Sequence, residues 1–186
     1  MLTFLKENAD NIVKLAVNQI AMTIFGLLLS AATVTNKTLL LVTGILSILF
    51  YMYLLYTSAW DIGAHDKIRI DGGRLKRMPL KGLYLSLAAN SVNILLALIA
   101  IICYYLGVQF GFEWAAGTMA VCYNISWLLN GMYNAVLSFI SVGQLKFWLM
   151  LAAVIPALVF TELAYLAGSN NYRIFGFLGL NGKQRR

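Results

Sequence analysis

The sequence predicts an all-α fold: a polytopic transmembrane helix bundle of about five spans, forming one domain over residues 1–186. Three observations predict it. Hydrophobic residues make up 61% of the chain and charged residues only 11%, against roughly 25% charged in soluble domains. Five stretches reach the length of about 20 apolar residues that a helix needs to cross the hydrocarbon layer. The charges fall mainly between and after those stretches. Lipid tolerates such a surface and water does not. In lipid the backbone must bond within its own segment, which selects helices. The stretches are also too long and too uniformly apolar for barrel strands, which alternate over about ten residues.

The first span is expected at about residues 12–34. Before it, Met1 to Lys14 mixes Lys6, Glu7, Asp10 and Lys14 with apolar residues. A signal-peptide core is shorter, roughly 7–15 residues, so the first helix is expected to stay in the mature chain. Gln19, Thr23, Gly26 and Ser30 share one face and form a packing surface. Thr35-Asn36-Lys37 is a tight link to the second span, at about 38–60, where Gly44 and Ser47 form a second small face. The third span is expected at about 83–106, the fourth at 114–140 and the fifth at 147–168. Pro156 removes a backbone donor in the middle of the fifth and predicts a kink. Aromatic residues crowd the span ends, among them Tyr56, Trp60, Tyr104, Tyr105, Trp114 and Trp148, as in an interfacial belt. Cys103 and Cys122 lie inside spans, with no Cys/His cluster near them, and read as small buried hydrophobes.

The net charge is +7, and its distribution predicts orientation. The loop at 61–81 carries Lys67, Arg69, Arg74, Lys76, Arg77 and Lys81. Basic loops stay in the cytoplasm, so this loop and the N-terminus are placed inside a cell membrane. No basic face interleaved with aromatics lies away from the membrane, so nucleic acid is not an expected partner. Five spans put the C-terminus outside, against the charge of Arg173, Lys183, Arg185 and Arg186. Three readings meet that conflict. The tail violates the rule; or the fourth segment breaks at Asn130-Gly131 and adds a re-entrant element; or residues 172–180 dip into the interface. The larger charge block at 61–81 favours the first.

Polar residues inside spans are the candidate functional groups, because lipid obliges them to find partners or face a cavity. Glu162 is the one acidic residue well inside a span. Asn90 and Asn93, with Ser86, share a face of the third span. Tyr123, Trp127, Asn130 and Asn134 follow helical spacing in the fourth, with Asn124 beside them. Carboxamides both donate and accept, which suits a polar ligand or ion pathway and equally suits bonding between helices. Near the second span, Asp61 and His65 are four apart and share a face if the helix continues, with Asp66 adjacent. Such a trio suits acid–base work at an interface. His65 is the sole histidine, which argues against a metal site, and no cofactor is implied.

No GxxxxGK[ST] loop, GxSxG elbow, HExxH helix or arginine ladder occurs. The expected function is therefore transport-related: a small membrane subunit that binds or passes a solute or ion. A rival is a non-catalytic scaffold that forms a homo-oligomer or binds other membrane subunits. A third is an interfacial enzyme acting on lipid through Asp61, His65 and Asp66. In each case the lipid bilayer is the one partner the composition itself requires.

Overall fold

A computed structural model describes residues 2–140, 143 and 145–172. Those residues form helices and no strand. The helices are α1 (Leu2–Glu7), α2 (Ala9–Thr33), α3 (Lys37–Asp71), α4 (Lys81–Ala89), α5 (Ser91–Phe110), α6 (Glu113–Leu129), α7 (Gly131–Ile140), α8 (Leu145–Ala152) and α9 (Val154–Ser169). Four segments are long and apolar enough to cross a membrane: Ala9–Thr33, Lys37–Asp71, Ser91–Val108 and Leu145–Ser169. Their outer faces are apolar throughout. Leu28, Leu49, Val92 and Ile155, for instance, are 66, 60, 60 and 56% exposed. The protein is a membrane helix bundle.

Local chemistry explains the helix ends. The Asn36 side chain accepts hydrogen bonds from the Thr38 and Leu39 amides and starts α3. Gly111, at φ +69°, ends α5 and lets α6 turn back antiparallel beside it. Asn90, Asn130 and Asn170 each end a helix in the same way. Their Nδ2 groups donate to the carbonyls of Ser86, Ser126 and Leu166, four residues earlier. These asparagines interrupt α4–α5 and α6–α7 within stretches the hydropathy reads as continuous. Ala153 interrupts α8–α9, and Pro156 follows as the third residue of α9, where its missing N–H costs little.

The second segment departs from expectation at its end. The stretch from Asp61 was read as loop, yet α3 continues to Asp71 and only residues 72–80 are irregular. Its last turns are helical because they pack on α9. A methyl on Gly63 would overlap the Tyr165 carbonyl, and one on Gly168 would overlap the Trp60 carbonyl. These two glycines let the α3 and α9 backbones touch.

The fourth segment does not cross. α6 starts beside the Gly111 turn and descends antiparallel to α5 until Asn130 meets Asn93. There Thr23, in the middle of α2, donates to the Leu129 carbonyl at 2.7 Å. α7 has only 10 residues, about 15 Å of helix, half of a hydrocarbon core of about 30 Å. It returns towards the Gly111 end, since α8 begins there, with Phe147 against Tyr104 and Tyr123. From there α8–α9 crosses to the other end, where Glu162 meets Leu83 and Trp60 donates to the Tyr172 carbonyl. The path follows the re-entrant alternative, which brings the end of α9 to the same end of the bundle as Arg77 of the 72–80 loop. The N-terminal end of α2, the C-terminal end of α3, the start of α4 and the end of α9 all lie together. Residues 173–186, including most of the 172–180 segment, lie outside the described residues.

The Thr23 and Gly26 face of α2 and the Gly44 face of α3 receive α7, as expected of packing surfaces. Cys103 and Cys122 are buried, free thiols.

Sidedness gives the first prediction. In a chain with Cys103 and Cys122 replaced by alanine, Lys76→Cys and Asn170→Cys are each labelled by a membrane-impermeant maleimide from one side. Phe112→Cys is labelled from the other. Labelling of Asn170→Cys together with Phe112→Cys would rule out the re-entrant turn.

Candidate functional site

The sequence-selected residues separate into three groups. The first is an amide cluster in the bundle interior. Asn93 and Asn130 donate to each other's carbonyl oxygens at 3.1 Å, and Ser126 donates to Asn93 Oδ1 at 3.1 Å. Asn134 Nδ2 donates to the Trp127 carbonyl at 2.8 Å, reaching across the α6–α7 break. Asn90 bonds back to Ser86. The four are buried and their donors engage protein acceptors, while Asn134 Oδ1 is buried without a partner. Asn124 is not with them. It is exposed, and it lies on the face of α6 turned away from Ser126 and Asn130.

The second group is at the surface. His65 Nε2 stands 3.5 Å from Asp61 Oδ1, and Lys14 Nζ is 3.2 Å from Asp61 Oδ2, all about half exposed or more. Continuation of α3 does place Asp61 and His65 on one face. Asp66, one residue on, points elsewhere, so the expected trio is divided. Among the described residues no three His, Cys, Asp or Glu side chains come together as a metal site would need.

The third group forms where α3, α4 and α9 converge. Lys81 Nζ lies 2.8 Å from Asp66 Oδ2, with both side chains more than nine-tenths buried. The Tyr165 hydroxyl donates to the same oxygen at 3.0 Å. Two buried charges are tolerable only when paired and hydrogen-bonded, and this pair has both. Next to it, Glu162 Oε2 accepts the Leu83 amide at 2.8 Å. Leu83 is the third residue of α4, so its N–H has no partner within the helix. Glu162 therefore caps α4 from another helix, where the helix dipole favours a negative charge. Gly82 permits the approach: a methyl there would come within 2.7 Å of Tyr165 Cβ and 2.9 Å of Glu162 Oε2. Leu80, just before α4, takes a left-handed conformation at φ +59°, a strain of about 1–2 kcal/mol held in place by these contacts.

One atom of this group is unsatisfied. Glu162 Oε1 is buried without a hydrogen-bond partner. Glu162 also lines a cleft of about 370 Å³, with Lys67, Asp71, Arg77, Met78 and Tyr165 on its walls. The arrangement holds an acceptor oxygen, fixed through its carboxylate to a helix end, that has almost no accessible surface and that a group bringing an N–H or O–H meets only when the cleft wall shifts. Of this cluster, sequence reading found Glu162 and Asp66 but not Lys81 or Tyr165. The available signal was that Lys81 opens the third apolar stretch, so its ammonium must be buried or leave the helix face.

Comparison with known protein families, characterised proteins and solved structures finds no match.

The ion pair is testable. Lys81→Met leaves Asp66 charged and buried, and lowers unfolding free energy by about 3–5 kcal/mol, read from thermal melts in detergent. Lys81→Met combined with Asp66→Leu recovers most of that loss. Equal losses in the single and double variants would show that the pair does not couple these helices.

Proposed function

We propose that this protein is a small multi-pass subunit of the cell membrane that serves transport by binding a polar solute in the cleft at Glu162. One observation carries the reading: a buried carboxylate oxygen without a partner, in a residue that lines a cleft of mixed polar and apolar walls. Buried polar atoms in proteins are almost always hydrogen-bonded, and ionisable groups within membrane segments mark ligand and ion paths. A ligand that donates an N–H or O–H completes the site. Broken helices and a re-entrant pair support the transport assignment, since transporters build sites from discontinuous helices. The end with the cleft faces the cytoplasm, because Lys67, Arg69, Arg74, Lys76 and Arg77 are all there. The amide cluster has no role in the proposed site. Its hydrogen bonds hold the helix breaks.

The test is Glu162→Gln, which keeps size and places an amide where the acceptor stood. Losing a hydrogen bond to a charged group costs about 1.5–3 kcal/mol, roughly ten- to hundredfold in affinity. Screening purified protein against small amines, guanidinium compounds and alcohols should find stabilisers of the wild type that fail on the variant, whose unliganded stability falls only by the lost charge at the start of α4, about 0.3–1 kcal/mol. A screen in which every compound acts equally on both would end the reading.

One observation favours a second reading, a self-associating scaffold. Asn124 lies on the lipid-facing side of α6 beside exposed Gly117 and Ala120, and a carboxamide in hydrocarbon is costly without a partner. On this reading a second copy supplies one. The wild type would run as a dimer by native mass in mild detergent and Asn124→Leu as a monomer. Monomers in both cases would remove this alternative.

A further inference from the structure

The walls of the Glu162 cleft carry charges of both signs. Lys67 and Arg77 face it together with Asp71 and Glu162. Among the described residues, neither Lys67 nor Arg77 enters an ion pair. A cleft with two cations and two carboxylates suits a zwitterion better than an anion. Arg77 presents the planar fork that matches phosphate oxygens, and Lys67 adds a point charge. Glu162 Oε1 needs a donor. A primary ammonium supplies three N–H groups, whereas a trimethylammonium supplies none. Among the described residues Tyr165 is the one aromatic side chain on the cleft wall, too few rings to cage a quaternary amine.

The cleft also has an apolar continuation. Met78 lines both the cleft and a second groove of about 700 Å³, bounded by Phe4, Ile12, Tyr84, Leu87 and Ser91. Tyr84, Leu87 and Ser91 succeed one another along α4 into the start of α5. The groove therefore descends from the charged end into the membrane, between α4 and the α1–α2 arm. A soluble phosphoamine would leave it unused. An acyl chain fits its chemistry and direction, and burial of each CH₂ is worth about 0.8 kcal/mol.

We propose that the ligand of this cleft is a phospholipid with a primary-amine headgroup. Its phosphate lies between Lys67 and Arg77, its ammonium donates to Glu162, and one acyl chain runs past Met78 into the groove. This names the substrate class of the site assigned above and rests on that assignment.

The experiment measures binding to the full chain in detergent by native mass spectrometry and melting temperature. The probes are dioleoyl phosphatidylethanolamine, phosphatidylcholine and phosphatidylglycerol, dihexanoyl phosphatidylethanolamine, and phosphoethanolamine alone. The expected order has dioleoyl phosphatidylethanolamine retained at least tenfold over the choline and glycerol lipids, with dihexanoyl weaker and phosphoethanolamine weakest. Glu162→Gln removes the preference over choline, and Arg77→Gln weakens every phosphate-bearing probe. Three results overturn the lipid assignment while leaving the donor-ligand site standing, provided binding still depends on Glu162. They are equal retention of ethanolamine and choline lipids, preference for the glycerol lipid, and phosphoethanolamine binding as tightly as the full lipid. Indifference of every probe to Glu162→Gln, in a variant that remains folded, overturns both.

Discussion

Inside a bilayer every backbone N–H and C=O must find a partner within the protein, and this chain interrupts its helices inside the bundle at asparagines that bond back to the backbone. Each interruption frees carbonyls of the preceding turn. At Asn90 and Asn130 the side chain adds a second hydrogen bond to the carbonyl four residues earlier, which already accepts the asparagine's own amide. At the second break, Asn134 reaches seven residues back to Trp127, and Asn93 joins Asn130 in a reciprocal amide pair. Interhelical hydrogen bonds in membranes are individually modest, about 0.6 kcal/mol on average in one measured protein. Their value here is positional. They let the chain turn within the bundle without exposing unpaired backbone.

That turn determines where everything after it lies. Had α6 and α7 run on as one crossing helix, the last segment would cross in the opposite sense. Glu162 and Tyr165 would then sit at the Gly111 end, far from Asp66 and Lys81. Because α7 returns, α9 descends beside α3 and α4, and the Gly63 and Gly168 contacts let the backbones meet. The buried ion pair and the carboxylate cap on α4 therefore depend on an asparagine turn in a different part of the bundle. Loop 72–80 and the end of α9 come together for the same reason.

The helical class and the five apolar segments were legible because hydropathy is local and needs no tertiary knowledge. The Asn130 turn was legible only as one of three alternatives. A segment that crosses and one that doubles back have the same apolar length, and depth is decided by contacts with α2 and α5. Nothing flagged the break at Asn90, where Ala88-Ala89-Asn90-Ser91 reads as ordinary helix. The stretch after Trp60 looked like loop from its polar composition. It is helical because Ile62, Gly63 and Asp66 are buried where α3 meets α9. Asn124 was grouped with the other amides by proximity in sequence, yet it stands one residue from Tyr123 and so about 100° around the helix, facing outward. Lys81 and Tyr165 were missed because the pairing that defines them spans α3, α4 and α9, with Asp66 and Tyr165 ninety-nine residues apart.

The position of Glu162 near a helix end also bears on its use. A carboxylate at mid-membrane bears the full desolvation cost and tends to stay neutral. A carboxylate wholly at the surface would have water on both oxygens and no selectivity. Glu162 lies between these limits. One oxygen is anchored to the α4 amide, whose helix dipole stabilises the charge. The other is shielded from water and has no hydrogen-bond partner. Gly82 and the strained Leu80 hold α4 close enough for this to happen, and neither would be needed if Glu162 merely reached for solvent. A carboxylate so placed gains most from a ligand that brings its own donor to the interface, where lipid headgroups carry theirs.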